Sequence, residues 1–117
     1  MSTERYSSFE AFWPYYVSEH RHPTCRALHY IGTTCAITCV IAGAVRGEAG
    51  WCGAAAFSGY FFAWVGHFFV EKNRPATFRY PLWSLVADFK MYALALRGEM
   101  RDEVARCCDA DGGGTAR

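Results

Sequence analysis

Charged side chains are distributed very unevenly along the chain. The sequence has 12 basic and 11 acidic residues, yet only Arg46 and Glu48 fall between Ala27 and Val70. A helix of a soluble bundle carries charged residues along its outer face. The long uncharged stretches therefore predict helices whose outer faces contact lipid.

Two uncharged runs predict a transmembrane helical hairpin. They cover residues 27–45 and 49–70, which is 19 and 22 residues, and about 20 apolar residues cross the hydrocarbon core of a bilayer. Between them, Arg46-Gly47-Glu48-Ala49-Gly50 predicts a tight turn. We expect an all-α fold: a helical membrane protein with a transmembrane hairpin and flanking interfacial or membrane-associated helices.

The flanking regions complete the predicted organisation. Residues 82–96 are apolar with a period near 3.6, which predicts a further helix at the interface or over the mouth of the hairpin. We expect residues 1–98 to form a single helical membrane domain and residues 99–117 to be a disordered polar tail. Five aromatic residues precede the first run and predict a belt at headgroup level; the alternative is an amphipathic core helix of a soluble protein. They are Phe9, Phe12, Trp13, Tyr15 and Tyr16.

The positions of the cations predict the orientation of the hairpin. Six basic residues flank its outer ends and one lies in the turn, so the positive-inside rule places both ends in the cytoplasm. The six are Arg5, Arg21, Arg26, Lys72, Arg74 and Arg79. No apolar signal segment begins the chain. We expect an integral protein of the bacterial inner membrane, or of the endoplasmic reticulum in a eukaryote.

Composition narrows the partners. The net charge is +1, which does not indicate a nucleic-acid partner. The six cysteines contain no C-x-x-C pair, so reduced thiols are expected, with Cys35 and Cys39 as small packing residues. Gly59, Ala63 and Gly66 form a stripe of small residues that lets two helices approach closely, and that permits a homo-oligomer without requiring one.

The histidines are the candidate chemistry. The predicted topology places His20, His29 and His67 at one depth near the cytoplasmic interface, together with His22. Glu71 follows His67 by four residues, on the same face of a helix. Ionisable groups at that depth need partners. Imidazoles with a carboxylate suit iron(II), with zinc or manganese as alternatives.

Two other interpretations fit the same residues. The histidines could cap helix ends and bond to backbone carbonyls, as in a non-catalytic membrane protein with a structural His/Glu site. A closed zinc knot is the second alternative. Its ligands would be His20, His22, Cys25 and His29.

Three segments carry a resemblance to a known family. They are Tyr16-Val17-Ser18-Glu19-His20, Arg26-Ala27-Leu28-His29-Tyr30-Ile31-Gly32-Thr33, and the run from Trp64 through Gly66-His67-Phe68-Phe69-Val70-Glu71-Lys72-Asn73-Arg74-Pro75 to Phe78. Over residues 9–92 the chain resembles the Mpo-like family of membrane proteins, which includes an iron(II)-dependent 2-hydroxy fatty acid dioxygenase. Cys25 stands where the family pattern has Asn, and the chain is similar to a short bacterial branch.

The resemblance implies a reaction and a set of residues. The reaction is α-oxidation, in which a 2-hydroxy fatty acid and dioxygen give a fatty acid one carbon shorter. His20, His29 and His67 would bind Fe(II), with Glu71 as a fourth catalytic residue that either binds the metal or orients an imidazole. Arg74 or Lys72 would pair with the substrate carboxylate, the alternative being that both anchor the protein at the interface.

Overall fold

A computed structural model describes residues 6–109. These residues are almost entirely helical and contain no strand, which confirms the predicted all-α class. The chain divides into two compact units. The first joins the segment up to Arg21 with the segment from Ala76 onward, and the second is His22–Pro75.

The second unit is the predicted hairpin. Helix α2 is Pro23–Arg46 and helix α3 is Gly50–Val65, which continues into a π-helical turn at Gly66–Glu71. Gly47 ends α2 in the left-handed conformation, with φ 65°, where a residue without Cβ avoids a steric penalty. The helical segments Pro23–Arg46 and Gly50–Glu71 are each long and apolar enough to cross a membrane.

Glycines bring α2 and α3 close together. A Cβ atom on Gly32 would lie 3.1 Å from Phe62 Cβ, and one on Gly43 would lie 2.9 Å from Trp51 Cβ. The expected small-residue stripe on the second helix is only partly used: nothing lies within 4 Å of a Cβ placed on Gly59. The close approach therefore depends on Gly32 and Gly43 of α2 and, within the stripe, on Gly66, where a Cβ would lie 2.9 Å from Cys25 Sγ.

The first unit is built from short helices. They are α1 at Phe9–Ser18, a 3₁₀ turn at Ala76–Phe78, α4 at Pro81–Leu96, α5 at Met100–Val104 and a π-helical turn at Ala105–Asp109. Ser8 caps α1 by accepting a hydrogen bond from the N–H of Ala11, and prolines at the first position of α2 and α4 suit a helix start. Helix α4 covers residues 82–96, the stretch for which the sequence predicted a further helix.

The aromatic residues expected in a headgroup belt form much of the core of this unit instead. Phe12, Trp13 and Tyr16 are buried, and the ring centroid of Phe12 lies 4.9 Å from that of Tyr80 and 5.6 Å from that of Trp83. Their burial follows from α1, which continues through Pro14 and turns one aromatic face towards α4.

The polar tail expected from residue 99 begins with helical structure. Met100, Cys107 and Cys108 are buried, and Glu103 accepts a hydrogen bond of 2.5 Å from the indole Nε1 of Trp13. These contacts order the segment to residue 109. The rest of the predicted tail, residues 110–117, lies outside the described residues, as does Arg5 among the flanking cations.

Candidate metal centre

His67 lies in the π-helical turn that follows α3. Its carbonyl oxygen accepts from the backbone N–H groups of Lys72 and Asn73, the latter at 2.9 Å. Its ring Nδ1 donates to the side-chain oxygen of Asn73 at 2.7 Å. A regular α-helix was expected here, and π-helical turns are frequent at functional sites. Because the turn is wider than an α-helical turn, both the backbone carbonyl and the side chain of His67 can bond to the segment formed by Lys72 and Asn73.

His29 lies on α2 and faces this turn. The centroids of the His29 and His67 rings are 5.0 Å apart, with the ring planes at 89°. The approach depends on Gly66, because a Cβ there would lie 2.9 Å from Cys25 Sγ and 3.3 Å from Cys25 Cα. Cys25, which departs from the family pattern, is thus a small residue packed against a glycine. The structure brings these two predicted ligands together.

His20 follows α1 in the first unit. It is 1% exposed, and its Nδ1 donates to the carbonyl oxygen of Tyr16 at 2.6 Å. The imidazole also stacks on the Tyr16 ring, at 4.2 Å between centroids. Both contacts come from a residue one helical turn earlier, so the local chain fixes the ring.

The three histidines share one hydrogen-bonding pattern. His29 Nδ1 donates to the carbonyl oxygen of Cys25 at 3.0 Å, as His20 Nδ1 does to Tyr16 and His67 Nδ1 does to Asn73. In a neutral imidazole the proton is then on Nδ1 and the lone pair on Nε2. Metal-ligating histidines are oriented in this way. His29 and His67 belong to one unit, are buried and have ring centroids 5.0 Å apart, so they could share a metal ion. His20 is a buried imidazole of the first unit with the same Nδ1 pattern.

Two neighbouring residues act at a helix start. His22 is exposed and caps α2, its Nδ1 accepting from the N–H of Thr24 at 3.2 Å. The Glu71 carboxylate accepts from the backbone N–H of His22 at 2.6 Å. Capping a helix end is one part of the structural role that the sequence offered as an alternative for the histidines, and it applies to His22. The other part, bonding to backbone carbonyls, applies to His20 and His29. A role for Glu71 in orienting an imidazole stays a prediction.

The two predicted substrate cations follow the π-helical turn. Lys72 and Arg74 are both exposed. Lys72 ends the turn in the left-handed conformation, with φ 62°, and no other non-glycine residue among those described has a positive φ. Their binding of a carboxylate stays a prediction.

One buried polar contact was not predicted from the sequence. The Tyr16 hydroxyl donates a short hydrogen bond to Asp88 Oδ1. Withdrawal from water raises the pKa of the Asp88 carboxyl to about 7, against the lowering effect of the Tyr16 hydrogen bond. The signal in the sequence was an acidic residue inside the apolar pattern of residues 82–96.

Comparison with known proteins identifies the family. No curated protein and no solved structure matches the chain. Residues 6–100 match the family described as "Mpo1-like: 2-hydroxy-palmitic acid dioxygenase Mpo1-like". This match covers most of the chain and contains the three buried histidines with all of their Nδ1 partners. The chain therefore belongs to the Mpo1-like family.

Proposed function

We propose that this protein is an iron(II)-dependent dioxygenase of the membrane that shortens 2-hydroxy fatty acids by one carbon. The family description supplies the substrate class and the type of reaction. The observation that carries the proposal is the shared hydrogen-bonding pattern of His20, His29 and His67, whose Nδ1 atoms all donate to oxygen acceptors.

The three histidines are the proposed metal ligands. Each presents Nε2 as its basic atom, and a set of imidazoles suits iron(II), zinc or manganese. Dioxygenase chemistry selects iron among these, since it needs a metal that reacts with dioxygen. When bound, iron(II) supplies a centre that orients a hydroxycarboxylate and activates dioxygen.

The remaining residues bind and position. We propose that Arg74 or Lys72 pairs with the substrate carboxylate, because both are exposed cations at the end of the second apolar helix. Glu71 holds the start of α2 through the N–H of His22, and that contact links the π-helical turn of His67 to the helix of His29. The acyl chain lies along the exposed aromatic residues of α3, among them Phe57 and Phe61.

The proposed reaction balances without a further reductant. Conversion of a 2-hydroxy acid to the acid one carbon shorter, with loss of the carboxyl carbon as carbon dioxide, is a four-electron oxidation. One dioxygen molecule accepts four electrons, and one water forms. The protein then needs substrate, dioxygen and metal alone.

We also propose the membrane placement expected from the sequence. The hairpin crosses the bilayer twice, with both outer ends in the cytoplasm. Support comes from the two long apolar helices and from the apolar side chains that they expose, such as Val45, Phe57 and Phe69. Exposed apolar surface of this extent is expected where lipid covers it.

The decisive experiment measures metal and turnover on the same samples. The detergent-purified protein is reconstituted anaerobically with Fe(II), and oxygen uptake is followed with 2-hydroxypalmitate. His67→Ala is expected to lose both bound iron and uptake. His22→Ala removes an exposed histidine that caps a helix, so it should keep both. Uptake by His67→Ala at the wild-type rate would contradict the proposal.

The same samples separate the alternatives. Bound metal without oxygen uptake would indicate a structural site in a non-catalytic membrane protein. Cys25→Ala tests the zinc knot: loss of metal in this variant would support the knot, whereas the proposed site should retain iron, because alanine also fits against Gly66.

A further inference from the structure

The side of α4 that faces the core carries two polar residues beside the buried apolar residues Ala87 and Met91. Ser84 is buried and Asp88 is half-buried one turn later, and the Ser84 hydroxyl has no hydrogen-bond partner among the described residues. Large apolar residues are exposed on the same helix: Leu82, Leu85, Val86, Phe89 and Leu96. Packing alone does not explain Ser84 and Asp88 on the core side, since a polar group in the core costs free energy.

Asp88 connects to His20 through one residue, Tyr16. The Tyr16 hydroxyl donates to the Asp88 carboxylate, its ring stacks on the His20 imidazole, and its carbonyl oxygen accepts from His20 Nδ1. The other face of Tyr16 is supported by Trp13, whose ring lies 5.6 Å away and nearly parallel. Tyr16 thus contacts both the acid and the imidazole.

We infer that Asp88 is a positioning residue for His20, which acts by fixing the Tyr16 ring on which the imidazole stacks. The inference rests on the proposed function, because it assigns a purpose to the orientation of a proposed ligand. It adds a residue from α4, distant in sequence from every histidine.

The chemistry of the contact favours this role. A hydrogen bond from a phenol to a carboxylate is shorter and stronger than one between neutral groups. It fixes the ring in rotation and depth, whereas apolar packing leaves a phenyl ring some freedom. A phenylalanine at position 16 with an apolar residue at 88 would pack without burying a carboxylate. The acid is explained if the exact placement of the ring matters.

The test compares four variants by two measurements. Tyr16→Phe and Asp88→Ala remove the hydrogen bond, Asp88→Asn keeps an oxygen acceptor for the hydroxyl, and Tyr80→Phe is the matched control. Tyr80→Phe removes the hydroxyl of another tyrosine of this unit, which accepts a hydrogen bond of 3.0 Å from the backbone N–H of Tyr6. The ring of Tyr80 packs against Phe12 and Trp83 and, among the described ring contacts, does not stack on Tyr16. The first measurement is the ¹⁵N–¹H NMR signal of the His20 Nδ1–H in metal-free protein. The second is the Kd for Co(II), an air-stable substitute for Fe(II).

We expect Tyr16→Phe and Asp88→Ala to broaden the His20 Nδ1–H signal by faster exchange and to raise the Kd for Co(II) by about tenfold or more. Asp88→Asn should restore most of both. Tyr80→Phe should lower the melting temperature while leaving the signal and the Kd unchanged.

An unchanged His20 signal in Asp88→Ala would overturn the inference. So would equal effects of Asp88→Ala and Tyr80→Phe, because the hydrogen bond would then act only on general stability. If the wild-type protein binds no Co(II), the proposed function fails, and the NMR signal in metal-free protein still decides whether Asp88 positions His20.

Discussion

The two units of this chain differ in where their aromatic side chains lie. In the first unit the aromatic residues lie inside: Phe12 is 0% exposed and packs against Tyr80 and Trp83. In the hairpin they lie outside, and Phe57 is 69% exposed. The buried residues of the hairpin are small or polar, namely Cys25, His29, Gly32, Ala55, Gly66 and His67.

This difference shows what holds each unit together. The first unit excludes water from an aromatic core, as soluble domains do. In the hairpin, glycines let the helices approach and polar groups find partners inside, which is the usual arrangement among helices surrounded by lipid. The hairpin can therefore keep histidines inside without a large apolar core around them.

The largest expected effect comes from truncating one aromatic residue in each unit. Phe12→Ala should destabilise the protein by about 3–5 kcal/mol, because it leaves a cavity among packed rings. Phe57→Ala should cost less than about 1 kcal/mol, since that side chain is mostly exposed. Thermal unfolding in the same detergent measures both. Equal losses would show that the hairpin also depends on its aromatic residues for packing.

A pair of glycine variants tests the hairpin itself. Gly66→Ala places a Cβ 2.9 Å from Cys25 Sγ and should cost about 1–3 kcal/mol by overpacking, with weaker metal binding because the His67 turn moves away from α2. Gly59→Ala is the matched control, with nothing within 4 Å of the new Cβ. Melting temperature and Co(II) titration report the two effects. A Gly66→Ala protein as stable as the control would show that the contact is not tight.

The carboxyl group of Asp88, in the first unit, predicts that the stability of the protein depends on pH. Because loss of water raises the pKa of Asp88 from 3.8 to about 7, the folded state binds the proton more tightly than the unfolded state. The stabilisation of the folded state by protonated Asp88 is therefore fully present at low pH and is lost as the pH rises towards 7. The hydrogen bond from Arg106 lowers the pKa of Glu103. The stabilisation that Glu103 contributes therefore depends on pH in the opposite direction, because it is lost as the pH falls below about 4.5.

Stability should accordingly fall by about 1–2 kcal/mol between pH 5.5 and pH 7.5. Melting temperatures at these two values measure the change, and Asp88→Asn should remove most of it. A wild-type slope that persists in Asp88→Asn would assign the dependence to another group.

The smallest expected effect comes from Lys72→Gly, which tests the backbone strain at this residue separately from its charge. With φ at 62°, Lys72→Gly should relieve strain and stabilise the protein by about 0.5–1 kcal/mol. If the ammonium group also binds the substrate carboxylate, the KM for 2-hydroxypalmitate should rise at the same time. Arg74→Ala, which removes a charge without a change in backbone strain, should raise KM with no gain in melting temperature. A less stable Lys72→Gly protein would contradict the strain argument.

Much of the fold could be predicted from the distribution of charges. The uncharged runs and the glycine-containing turn predicted the two long helices, and the period of residues 82–96 predicted α4. The π-helical turn at His67 could not be predicted, because the bonds that define it join backbone groups of His67, Lys72 and Asn73. Helix α1 was predicted only as the alternative to a headgroup belt, and it has Pro14 in its interior, where proline usually marks a break.

The site was predictable as a set of residue types and less so as a set of contacts. The histidines were recognisable by their predicted depth and by the family pattern. Their hydrogen-bond partners were not, because two of the three acceptors are backbone carbonyls, at Tyr16 and Cys25. Asn73 was visible in the motif, yet its bond to His67 Nδ1 required the wider turn.

The π-helical turn makes this part of the chain sensitive to a change in its length. This constraint is separate from the constraints on its side chains. A π-helix closes its hydrogen bonds five residues apart, as between Lys72 and His67, so it holds one more residue than the α-helical turn that it replaces. Removing a single residue after His67 would restore the ordinary repeat and rotate the following segment by about 100° around the axis. The length of this stretch is therefore constrained, as are Gly66, which packs against Cys25, and the proposed ligand His67.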